Sequence, residues 1–166
     1  AFQFVDFLNE CNQTYWQLLP LVPVGKGNSP YSSESAFAGE ILYIDIDELV
    51  SCGLLSEKDV IKREFSKNVD YEAVKRFKLP LLRKAIENFD VSDKAFLKFK
   101  QENEYWLQSY SLFMAIKESF SGKSFLFWDE DFKNYSSDAV NQFGTSHQEE
   151  IIFYEITQFL FYRQFY

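Results

Sequence analysis

The run Tyr15-Trp16-Gln17-Leu18-Leu19-Pro20-Leu21, followed by Val22-Pro23-Val24-Gly25-Lys26-Gly27-Asn28-Ser29-Pro30-Tyr31-Ser32-Ser33, decides the fold reading of this chain. Its first part is short and almost continuously apolar, the pattern of a strand buried on both faces in a parallel sheet. Pro20 has no ladder donor, so the strand is expected to end near it. The second part concentrates Pro, Gly, Asn and Ser, which is loop chemistry. On the N-terminal side, Phe4, Val5, Phe7, Leu8 and Cys11 recur at helical spacing, so the first dozen residues read as a helix. Helix, strand and a long loop at the strand's C-terminal end make one unit of an α/β protein.

Downstream the patterns are helical. Ile46 to Cys52 reads as a short helix stopped by Gly53. Ser56, with Asp59 three residues on, has the form of a capping box opening another. A longer helix is expected from about Asp70 to Phe89, with Pro80 kinking or splitting it. Ser92 is expected to cap a helix reaching about Gln101. The next places Tyr105, Trp106, Tyr110, Phe113, Ile116 and Phe120 on a wide apolar face and ends at Gly122. Thr145 and Gln148 read as a capping box for the last helix. That helix is apolar nearly all round, through Ile151, Ile152, Phe153, Ile156, Phe159, Leu160, Phe161 and Phe165, and therefore expects cover on most sides. Ala1 falls inside an amphipathic pattern and Tyr166 ends still in one, which reads as a segment of a longer chain. There is no internal repeat and no low-complexity stretch.

Composition narrows the function. The 166 residues carry 46% hydrophobic side chains, enough for a core. The 19 Phe point to packing, whereas the 10 Tyr and 3 Trp also offer flat faces with polar tips for ligands. A formal net charge of −8 repels nucleic acid and leaves a neutral partner such as a sugar chain unpenalised. Cys11 and Cys52 stand in no metal-binding or redox spacing and read as free thiols of a cytoplasmic protein, with one disulfide the alternative. No leader peptide and no membrane-spanning run is visible.

The stretch Trp16 to Tyr31, followed by Ser35-Ala36-Phe37-Ala38-Gly39, resembles the signature of the 4-alpha-glucanotransferase (amylomaltase) family, W-Q-x-L-P-L-x-P-x-G-x-G-x-S-P-Y and then S-A-F-A-G. Weaker similarity continues through Leu54-Leu55-Ser56, Asp70-Tyr71, Lys78 to Leu82, Glu102 to Leu107 and Phe161 to Gln164, so it spans most of the chain. The resemblance implies part of a (β/α)8 barrel, an N-terminal segment covering residues 1–166 with a helical insertion from about 45 to 145. It also implies transfer of α-1,4-glucan segments between maltooligosaccharides, without a cofactor. The partners implied are the glucan and the remainder of the same barrel; neither nucleic acid nor a membrane is expected.

Barrel active sites lie in the loops after the strands, where the Gly/Pro loop is expected to sit. By resemblance, Ser29 and Tyr31 face the glucan near the cleavage point. Tyr31 would stack on a sugar ring and Ser29 would hydrogen-bond a hydroxyl. Gly25 and Gly27 would let the backbone approach the sugar, and Pro30 would stiffen the turn. By residue type alone, Tyr31 reads as packed into a structural turn; the complete motif turns the reading toward sugar. The sequence departs from the family pattern at Lys26, where many relatives have a Tyr tied to a second glucan site. It departs also at Val22, Val24, Asn28, Glu40 and Ile41.

Retaining glycoside chemistry needs two carboxylates about 5–5.5 Å apart, and the family carries them on later strands. Nothing in these residues matches those motifs, and about 250 residues are needed to close such a barrel. Asp129, Glu130 and Asp131, after Trp128, read as a helix start rather than a catalytic pair. Asp45 and Asp47 read as a cap rather than a metal site. His147, alone of its type, reads as a surface residue in the first turn of the last helix. Trp106 and Tyr110, one turn apart, read as core rather than a sugar platform. The competing reading is a non-catalytic helical module that binds glucan or another protein.

Overall fold

The computed structural model describes residues 2–61 and 64–165, with side chains from residue 3. Among these the regular elements are helices: α1 (Phe2–Glu10), α2 (Ile46–Ser51), α3 (Tyr71–Glu87), α4 (Lys94–Glu102), α5 (Glu104–Ser119), α6 (Glu130–Lys133), α7 (Ser137–Ser146) and α8 (Gln148–Phe165). Short 3-10 turns at Lys26–Asn28, Pro30–Ser32, Ile41–Tyr43 and Phe125–Phe127 punctuate the connections.

The fold is built around α8. Nine consecutive residues, Phe153 to Phe161, are buried, as its all-round apolar pattern requires. Helices α3, α4 and α5 and the 41–43 turn pack against it. Leu82, Phe96, Leu107, Ile156, Phe159 and Leu160 lie in the main core, each burial contributing about 1.5–3 kcal/mol. Trp106 and Tyr110 belong to this core, so packing is their role. Charged side chains on α8 are paired where they enter the interior. Glu155, 4% exposed, accepts from Lys100 Nζ at 2.6 Å. Arg83 forks onto Glu150 and lies over the Phe153 ring at 3.7 Å. A second core gathers Ala115, Ile116, Trp128 and Phe143.

The strand expected at Tyr15–Leu21 does not form. Residues 13–21 form no regular secondary structure, and among the described residues the one backbone bond that ties this run to a later segment is Glu40 N–H to Leu21 O at 2.8 Å. Tyr15 is 92% exposed, and Trp16, Leu18 and Leu19 are exposed as well. The apolar run signals that this segment can be buried, whereas a strand also needs a neighbour to accept its backbone bonds. No strand occurs among the described residues.

Several boundaries also differ from the sequence reading. Ser56 and Asp59 do pair, but without the reciprocal bonds of a capping box: Asp59 Oδ2 accepts from Ser56 N–H at 2.9 Å and from its hydroxyl at 2.8 Å. These close a single turn, and no helix follows in residues 57–61. Lys62 and Arg63 lie outside the described residues. Pro80 sits inside an unbroken α3. It lies on the exposed side, as does Arg76, whose carbonyl it leaves without a helical donor and which water can satisfy. Asp93, not Ser92, caps α4 by accepting from Phe96 N–H, while Ser92 bonds Asp90. Thr145 lies in the last turn of α7, bonded to Asn141 O, so it does not cap α8. His147 ends α7 rather than opening α8; it is exposed and stacks on Phe143 at 3.8 Å between centroids.

Candidate functional site

The Gly/Pro loop is closed on itself by short-range bonds. Gly25 N–H donates to Ser29 O, and Asn28 N–H to Gly25 O, each at 3.0 Å. Gly27 lies at φ 72°, in the left-handed region that favours glycine. Gly25 is required for another reason: a Cβ there would stand 1.8 Å from Ser32 O. Ser29 caps the Pro30–Ser32 turn, its Oγ accepting from Tyr31 N–H at 3.3 Å. Ser32 Oγ donates to Lys26 O and Ser29 O, each at 3.1 Å. Residues 25–32 are thus locked with almost no help from a hydrophobic core.

This places both residues singled out in the sequence. Tyr31 projects outward, 76% exposed, and is not packed into the turn. Ser29 is half-buried and uses its oxygen to hold Tyr31, leaving its proton free to donate among the described residues. Lys26 is exposed at the tip. A phenol, a hydroxyl and an ammonium are displayed together on a stiff turn, and together they can stack on and hydrogen-bond a hydroxylated ligand.

What fixes the loop to the body of the protein was not read from the sequence. Glu40, 6% exposed, accepts from Val24 N–H at 2.8 Å through Oε2 and from Leu42 N–H at 3.0 Å through Oε1. Its neighbour Gly39 is held by the side-chain amide of Gln158 on α8. Gly39 N–H donates to Oε1 at 2.7 Å, and Nε2 donates to Gly39 O at 3.0 Å. Gln164 repeats this clamp at Asp45, accepting from N–H at 2.6 Å and donating to O at 3.2 Å. Tyr162 donates its hydroxyl to Phe37 O. Helix α8 therefore grips residues 37–45 by side-chain bonds to the backbone. A signal was available: Gln158 is an amide in the middle of a helix that must be covered all round, and a fully buried amide needs partners.

Lys78 of α3 completes the frame by donating to Leu42 O and Ile44 O, each at 2.7 Å. Burial pushes its pKa below the ordinary lysine value, opposed by Asp45 and Glu40. Lys117 of α5 pairs with Glu34, just beyond the loop. Beside the Ser35–Gly39 segment, Phe37 is half-exposed, edge-on to Tyr105 at 5.4 Å and stacked over buried Trp106 at 6.2 Å. The exposed aromatics here are thus Phe37 and Tyr105.

The carboxylates weighed in the sequence have structural places. Asp45 caps α2, accepting from Asp47 N–H at 2.9 Å. Asp129 stands at the start of α6, where Glu130 pairs with Lys133. Trp128 beside them is buried with its indole N–H on Lys123 O. Among the described residues, no group of three or more His, Cys, Asp and Glu is placed to hold a metal ion. Cys11 and Cys52 are both free and exposed. No helix among the described residues is long and apolar enough to cross a membrane.

Residues 1–166 match the profile of glycoside hydrolase family 77, described as 4-alpha-glucanotransferase. A 4-alpha-glucanotransferase of Streptococcus pneumoniae is 39% identical over 170 residues, covering 99% of this chain and 34% of that protein. One of Aquifex aeolicus is 40% identical over 166 residues, with the same coverage. Among solved structures, the amylomaltase from Streptococcus agalactiae in complex with acarbose superposes with a TM-score of 0.90 at 36% identity. That match covers 98% of this chain and 34% of the other. The chain thus spans about a third of the length of the curated relatives it matches.

Proposed function

This chain belongs to the 4-alpha-glucanotransferase family, and on that premise we propose that the intact protein transfers α-1,4-glucan segments from donor to acceptor maltooligosaccharides. The mechanism is retaining and needs no cofactor. Two carboxylates about 5–5.5 Å apart, one nucleophile and one acid/base, come from sequence beyond these 166 residues. This segment contributes part of a (β/α)8 barrel, with residues of about 45 to 145 forming a helical insertion beside the groove. Its exposed thiols fit a reducing compartment, and we assign the cytoplasm.

Within that reaction, Ser29 and Tyr31 bind the glucan. The Tyr31 ring offers an apolar face for one side of a pyranose and a phenol for its hydroxyls. Ser29 donates the proton that its bond to Tyr31 leaves free. Because the loop is rigid before substrate arrives, little ordering entropy is lost on binding. The observation that carries the reading is the coincidence of the family signature with an outward Tyr31 on a self-locked turn. The acarbose complex of the streptococcal amylomaltase supports a saccharide ligand.

Incubating the intact protein with maltotriose is expected to give glucose together with oligomers longer than the substrate. If only hydrolysis products appear, or nothing, the transferase reading falls.

A further inference from the structure

We propose that Glu40 is a positioning residue, the latch that transmits the fixed position of α8 to the loop carrying Ser29 and Tyr31. The bonds run without a gap. Gln158, fully buried on α8, clamps Gly39 from both sides, at 2.7 and 3.0 Å. Glu40 follows directly and reaches Val24 N–H at 2.8 Å. Gly25 comes next and donates to Ser29 O at 3.0 Å. Ser29 Oγ then accepts from Tyr31 N–H. The backbone of Glu40 adds a second anchor, its N–H donating to Leu21 O at 2.8 Å.

The chemistry of the latch calls for a carboxylate. Two backbone donors, Val24 N–H and Leu42 N–H, converge on one side chain, and a carboxylate offers an acceptor to each. A glutamine of the same shape has one acceptor oxygen and sets its own NH₂ against the other donor. Glu40 makes no ion pair among the described residues and Lys78 acts on it only at longer range, so these two N–H groups are its direct compensation for burial. The residue appeared in the sequence as a departure from the family pattern; its contacts give that departure a purpose.

The catalytic arm of the test rests on the glucanotransferase reading, and a second arm does not. In the intact protein, Glu40→Gln and Glu40→Ala would be compared with Asp93→Ala, which removes the cap of α4. Limited digestion with trypsin reads the loop directly through cleavage at exposed Lys26. Both Glu40 variants are expected to be cut there at least about 10-fold faster than the parent, and Asp93→Ala at the parental rate. In the disproportionation assay, both should raise KM for maltotriose several-fold. Simple loss of folded enzyme would instead lower kcat at constant KM. Unchanged cleavage at Lys26 in Glu40→Gln, or an equal increase in Asp93→Ala, overturns the latch. If the parent forms no oligomers, the glucan reading fails while the proteolysis result still decides the role of Glu40.

Discussion

Single residues divide here into those proposed to meet the ligand and those that hold them in place. Tyr31 is exposed and supports nothing in the core, so Tyr31→Ala should leave thermal stability within about 0.5 kcal/mol. In the intact protein the same change should lower kcat/KM for maltotriose by at least about tenfold, a loss of about 1.4 kcal/mol. Steady-state kinetics beside a melting curve separates the two; parental kinetics would remove Tyr31 from the site. Gly39 is the opposite case. A Cβ at this position would come within 2.1 Å of the Phe161 ring, and Phe161 is buried and stacked on Phe165 at 4.7 Å. The ring has no room to withdraw. Gly39→Ala should therefore cost at least about 2 kcal/mol by overpacking and disturb the Gln158 clamp. Chemical denaturation gives the number, and a variant as stable as the parent would contradict the contact.

At the level of elements, the helices are tied to their connections by specific side chains. The turn at 56–59 is held to α3 by Asp59, which takes a hydrogen bond from Lys84 and two from Ser56. These bonds, with Lys84 first, hold its carboxyl at about 2, below the ordinary 3.8. A carboxyl depressed on folding adds stability above its unfolded pKa. That contribution fades as pH falls from about 4 to about 2. In Lys84→Met the Asp59 carboxyl should titrate closer to its ordinary value, as seen in its carboxyl carbon shift by NMR, and acid unfolding should be less steep in that window. An unmoved titration would show that Ser56 alone sets it. Helix α8 performs a task that a strand neighbour performs in a sheet: its Gln158, Tyr162 and Gln164 satisfy backbone groups of Phe37, Gly39 and Asp45. Periodicity made α8 visible as a helix in need of cover, but said nothing of these three polar contacts. They depend on which way one face of the helix turns in the assembled fold.

The whole molecule explains why the strand reading failed. The apolar run Tyr15, Trp16, Leu18 and Leu19 faces outward, and we attribute its composition to burial against the remainder of the barrel. Residues 1–166 produced alone are accordingly expected to bind a hydrophobic dye and to self-associate. The intact protein should bind less dye per mole. The same 166 residues should show no disproportionation of maltotriose, since the proposed mechanism takes its catalytic carboxylates from outside this segment. Oligomer formation by this segment alone would contradict that assignment.

The amino-acid sequence by itself determined most of the helices, whose bonds close within four residues, though not α7 and not the absence of a helix after Ser56; it also determined the existence of the Gly/Pro turn, whose geometry is set by Gly25, Gly27 and Pro30. The family signature was legible for the same reason: it is a contiguous string. Only the tertiary structure decided that Tyr15–Leu21 is no strand here, that Glu40 and Gln158 anchor the loop, and that Tyr31 points outward. Each of these rests on partners 16 to 119 residues away along the chain or on their absence. A sequence pattern records what a residue tolerates as surroundings; only the folded chain specifies which group arrives there.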